Sequence, residues 1–107
     1  MKPQTNHKAD SPVKQIRSLL QKEYLANHPE ADVDVYRYNS ASIRIRIVDP
    51  GFADLDLVER DDAIWRILKA LPDQVRSEIT LLLLLAPGER EKSLMNREFE
   101  DPTPSRL

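Results

Sequence analysis

From Ser42 to Ile47 polar and apolar residues alternate without a break, Ser42-Ile43-Arg44-Ile45-Arg46-Ile47. A period of two belongs to a β-strand with one buried and one wet face. Val33 and Val35 begin an earlier strand that runs to about Tyr38, and Asn39-Ser40-Ala41-Ser42 between the two is turn material. If both strands share one core face, odd residues must oppose odd residues, because a one-residue slip turns every side chain over. Tyr36, Tyr38, Arg44 and Arg46 then share the other face, and a pairing that set Arg37 against Arg44 is penalised by like-charge repulsion.

Around this hairpin the period changes to that of helices. Ser11 reads as an N-cap with Pro12 at the first helical position, and Val13, Ile16, Leu19, Leu20 and Tyr24 form one apolar stripe. His28-Pro29 ends that helix, since a residue before proline disfavours the α region. Asp49-Pro50-Gly51 breaks the second strand, and Phe52 is expected to tuck back into the core. Asp56-Leu57-Val58-Glu59 is a capping box, so a helix starts near Leu57, with Ile64, Ile67, Leu68 and Leu71 inward and Trp65 at the margin. Leu71-Pro72 closes it, and Pro72 to Glu78 fits a short helical turn.

Ile79 to Leu85 is apolar at almost every position, as in a fully buried strand or a short buried helix; its length and the flanking Ala86-Pro87-Gly88 favour the strand. Roughly 30 residues separate it from the preceding strand, enough for a helical crossover and a parallel pairing. Gly88 to Phe99 is expected to be a charged helix, and Asp101-Pro102-Thr103-Pro104 opens an extended tail. The expected fold is α+β in the order α-β-β-α-(α)-β: a three-stranded mixed sheet, helices on one face, and a C-terminal helix and tail. Residues 1–11 read as a disordered arm, 12–87 as the domain and 88–107 as the terminal helix and tail.

Composition narrows the function classes. Hydrophobic residues make up 40% of the 107 and charged residues 32%, which predicts a soluble globular body. A net charge of -2 gives no overall drive toward nucleic acid or membrane. No cysteine is present, which removes disulfides, thiolate metal sites and cysteine nucleophiles. The stretch Met1–Asp10 is polar and shows no apolar core of a secretory signal, and the run Ile79–Ala86 is too short to span a bilayer. A cytoplasmic location is expected.

Two surfaces carry functional content. Tyr36, Tyr38, Arg37, Arg44 and Arg46 offer guanidinium groups for phosphates and rings for stacked bases, so nucleic acid is a possible partner. The same residues also fit a solvated strand face with cross-strand cation–π contacts of about 0.5–1 kcal/mol each, partly neutralised by Asp34 and Asp49. The second surface is the leucine run Leu81, Leu82, Leu83, Leu84 and Leu85. Only one set of its alternating side chains can enter a core covered by helices on one face. The other set must meet the chain's own tail or another protein, a second copy included.

The remaining candidates have simpler accounts. His28 with Glu30, Asp32 and Asp34 lacks any ligand spacing known for a metal site, and a wet connector explains it. Asp54, Asp56, Glu59, Asp61 and Asp62 gather where a helix N-terminus favours negative charge. Neither Gly-x-Ser-x-Gly nor a phosphate-binding glycine loop occurs, so no enzyme, cofactor or metal is expected. Ser105-Arg106-Leu107 resembles a peroxisomal C-terminal tripeptide.

From about Ile16 to Glu89 the order of elements resembles that of BolA-like proteins, a small α/β fold related to the class II KH arrangement. The resemblance is carried by Val33-Asp34-Val35 to Val48, Phe52 and Leu55, Val58-Glu59-Arg60, Asp61 to Leu68, and Ile79 to Leu85. It implies a non-catalytic binding or adaptor module. BolA-like proteins commonly have a histidine after the arginine matched by Arg60 and another early in the last strand, and these serve cluster sharing with a glutaredoxin. Here those positions hold Asp61 and Thr80, so iron–sulfur trafficking with a glutaredoxin is a disfavoured alternative function. The Gly-x-x-Gly loop of KH domains is also absent, the glycines being Gly51 and Gly88.

Overall fold

The computed structural model describes residues 10–105. Both the first nine residues of the expected arm and Arg106-Leu107 of the terminal tripeptide lie outside the described residues. Helix α1 spans Ser11–Leu20 and runs on into a wider π-helical turn, Gln21–Leu25. Its N-cap is Asp10 rather than the expected Ser11. Asp10 Oδ1 accepts from the Val13 N–H at 3.2 Å while Arg37 Nε donates to Oδ2 at 2.7 Å, so one carboxylate caps the helix and ties it to the sheet. That hydrogen bond from Arg37 holds the Asp10 carboxyl below its ordinary value.

Strands β1 (Asp32–Asn39) and β2 (Ser42–Val48) pair antiparallel across a tighter turn than expected, Ser40-Ala41. Val33 faces Ile47 and Val35 faces Ile45, the odd-to-odd register that the alternation requires. Arg37 lies opposite Ile43, and Arg44 opposite Tyr36. Asp49 ends β2 and caps the 3-10 turn Pro50–Asp54, whose Phe52 is buried in the core as expected. Helix α2 (Leu57–Leu68) starts at the reciprocal capping box of Asp56 and Glu59. The short α3 (Asp73–Ser77) follows and leads into β3 (Ile79–Leu85), which runs parallel to β2. The sheet order is β1-β2-β3, so β3 is an edge strand.

Ile16, Leu20, Ile43, Ile45, Ile47, Ile64 and Leu68 are fully buried between α1, α2 and the sheet. At about 1.5–3 kcal/mol for each such side chain removed from water, this layer is the main source of stability. At its margin the Tyr24 hydroxyl donates to the buried Asp49 carboxylate, and His28 stacks on the Tyr24 ring at 4.2 Å. Burial, reinforced by Asp49, pushes the Tyr24 phenol well above its ordinary value.

The expected single helix over Gly88–Phe99 is broken in two. Pro87–Lys92 is a 3-10 turn, Ser93 is extended, and helix α4 covers Leu94–Glu100. Ser93 Oγ accepts from the Asn96 N–H at 3.0 Å, so a local cap ends one segment and starts the next. Helix α4 lies on the sheet face opposite α1 and α2. There Phe99 joins Val48, Leu83 and Leu85 in a second, smaller core flanked by Tyr36 and Leu81.

Candidate functional site

The arginine–tyrosine face of the hairpin is fully formed and engaged by the chain's own C-terminal segment. Arg44 Nη1 donates to Glu98 Oε2 at 2.9 Å, and its guanidinium carbon lies 3.6 Å from the centre of the Tyr38 ring. Arg46, 8% exposed, donates to Asp34 at 2.8 Å, to Glu100 at 2.6 Å and to Asn96 at 2.7 Å, and it lies over the Phe99 ring. Tyr36 donates to the Phe99 carbonyl at 2.8 Å, and Tyr38 donates to the Thr103 carbonyl. Arg37 lies near the turn on the opposite face of the hairpin from Arg44 and Arg46, paired with Asp10 and Glu78. The bonds from Arg44 and Arg46 hold Glu98 and Glu100 respectively below their ordinary values. Each of the three guanidinium groups is thus matched by carboxylates of this chain.

The leucine strand divides between two cores. Leu82 and Leu84 turn toward α1 and α2, while Leu81, Leu83 and Leu85 turn toward α4 and Phe99. The chain's own C-terminal helix therefore covers the face that the sequence left open. Among the described residues no further strand pairs with the outer edge of β3. A cleft of about 540 Å³ runs along it, walled by Leu57, Val58 and Asp61 of α2 on one side and by Ser93 and Met95 on the other. Leu57 is 72% exposed, Val58 69% and Met95 46%, all large apolar side chains of this cleft. Only the leucines of this surface were identified from sequence. Val58 had a signal, since it falls off the inward stripe of Ile64 and Leu68; Leu57, seven residues before Ile64, falls on that stripe and had none, and neither did Met95.

Behind the cleft Arg60 is 4% exposed and holds the two layers together. It donates to both carboxylate oxygens of Glu89 at 2.6 and 2.9 Å, to the Leu55 carbonyl at 3.0 Å and to the Leu84 carbonyl at 3.1 Å. The Arg60 hydrogen bonds bring Glu89 down to about 2. Asp61 is exposed in the cleft wall, and Thr80 shares a hydrogen bond with Ser42. Among the described residues no group of three or more histidine, cysteine, aspartate or glutamate side chains is placed to hold a metal ion. No helix among them is long and apolar enough to cross a membrane.

No protein-family model and no curated protein matches the chain. Solved structures do. BolA1 from Arabidopsis thaliana superposes with a TM-score of 0.51 at 19% identity, over 75% of this chain and 96% of that one. The BolA domain of SufE1 from Arabidopsis thaliana is similar at 25% identity and a TM-score of 0.47, over 74% and 95% of the two chains. The likeness to BolA1 establishes a BolA-like fold, in agreement with the resemblance read from the hairpin and the leucine strand.

Proposed function

We propose that this chain is a non-catalytic protein-interaction module that docks a partner along the outer edge of β3. The observation that carries the reading is the contrast between the two sides of the leucine strand. Its faces are filled by α1, α2 and α4, whereas its edge opens into a cleft walled by exposed Leu57, Val58 and Met95. Exposed apolar side chains grouped around an open strand edge are a hazard that a partner would remove. A nucleic-acid role for Arg37, Arg44 and Arg46 has less support, because carboxylates of the chain already neutralise them. Cluster sharing with a glutaredoxin lacks the histidines that the resemblance calls for at Asp61 and Thr80.

The test is affinity capture from the native host with quantitative mass spectrometry, comparing wild type with a Leu57→Ser/Val58→Ser/Met95→Ser variant of unchanged melting temperature. Partners captured by the wild type and lost from the variant are expected. Identical capture profiles would end this reading.

A further inference from the structure

The two edges of the sheet are built differently. On β1 the outward Val35 carbonyl is capped by Arg17 Nη2 at 2.7 Å, and exposed Asp32 and Asp34 guard the strand. Charges on an edge are a common defence against strand addition. On β3 the positions in register with Val35, Asp34 and Asp32 are Leu82, Leu83 and Leu85, none of them charged. The Leu85 carbonyl accepts from the Asp49 N–H at 2.9 Å on the β2 side, so strand alternation turns the peptide groups of Leu84 and Leu82 outward. Arg60 occupies the Leu84 carbonyl, and among the described residues nothing pairs with the Leu84 N–H or with the N–H and carbonyl of Leu82.

Resting on the interaction reading above, we infer that β3 accepts an extended segment of a different protein as a fourth strand, with apolar residues interleaved with basic ones. Main-chain hydrogen bonds to Leu82 and Leu84 would fix its register, and side-chain pockets would select its sequence. Apolar side chains fit against Leu57, Val58 and Met95. The charge is set by α2: Asp61 stands in the cleft wall, and exposed Asp54 and Asp62 lie at the same end of the helix, all three without an ion pair among the described residues. An incoming lysine or arginine is complementary to that wall. A second copy is not. Antiparallel pairing of β3 with itself has its two-fold axis normal to the sheet, which sets α2 beside α2 and puts Asp61 of each copy, with like charge, into the shared seam.

The probe is a capped seven-residue peptide of alternating valine and lysine, compared with its valine–glutamate counterpart, by fluorescence anisotropy and by hydrogen exchange in the full chain. The lysine peptide is expected to bind about tenfold tighter and to protect the Leu82 and Leu84 amides, and Asp61→Lys should reverse the preference. Absent or equal binding, protection confined to other residues, or a sedimenting homodimer that Leu57→Ser/Val58→Ser dissolves would each overturn strand addition. If host partners are lost from the triple-serine variant while these amides stay unprotected, the interaction reading survives and the fourth strand does not.

Discussion

Replacing Glu89 with glutamine tests whether Arg60 is held by charge as well as by geometry. Arg60 is buried and its guanidinium grips Glu89 through two parallel bonds of 2.6 and 2.9 Å. Arg60 brings the Glu89 carboxyl from its ordinary 4.5 to about 2, which corresponds to at most about 3 kcal/mol of stability. The Glu89 side chain is 42% exposed, and solvent screening reduces this to about 1–2 kcal/mol. Because the folded value is depressed, the contribution is fully present above about 4.5 and is lost as pH falls toward about 2. Urea unfolding of wild type and Glu89→Gln should therefore differ at pH 7 by about 1 M in midpoint, for a slope of about 1–1.5 kcal/mol/M. At pH 3 less than half of that difference should remain, since the unfolded carboxyl is then mostly protonated while the folded one is not. A difference of constant size across this range would refute the electrostatic account and leave only the shape of the contact.

Two further perturbations address the second core and the α1 margin. Phe99→Ala removes the buried ring that meets Tyr36 at 4.8 Å and Arg46 at 4.7 Å, and should cost about 3–4 kcal/mol in chemical denaturation while exposing Leu83 and Leu85 to a hydrophobic dye; a loss under 1 kcal/mol with no dye binding would mean that α4 does not seal this face. Tyr24→Phe leaves the buried Asp49 carboxylate short of one donor and should cost about 1–2 kcal/mol, and the wild-type Tyr24 ring should stay protonated in NMR titration beyond its ordinary value of 10.0.

How far the residues foretold this outcome depended on the range over which each interaction acts. The isoleucines of β2 occupy every second position, so their register with Val33 and Val35 follows from local period alone. The capping box at Asp56 is equally local. The cap of α1 is not: Asp10 outcompetes Ser11 because Arg37, 27 residues away, holds its carboxylate in place. Likewise the shared face of Tyr36, Tyr38, Arg44 and Arg46 was legible, but Glu98 and Glu100, which neutralise its arginines, look in sequence like any solvated helix surface.

That compensation shifts the functional weight from the faces of the sheet to its edge. A leucine at every position from 81 to 85 has two faces to satisfy, and the two cores account for both. Side-chain burial leaves the outward peptide groups of Leu82 and the N–H of Leu84 without a partner among the described residues, and these are invisible to any hydropathy pattern because backbone groups are common to nearly every residue type. Their role becomes apparent only when the strand order places β3 outermost and the cleft places Leu57, Val58 and Met95 beside it. An edge this apolar, opposite an edge guarded by Asp32, Asp34 and Arg17, is the asymmetry expected of a sheet that adds strands on one side only.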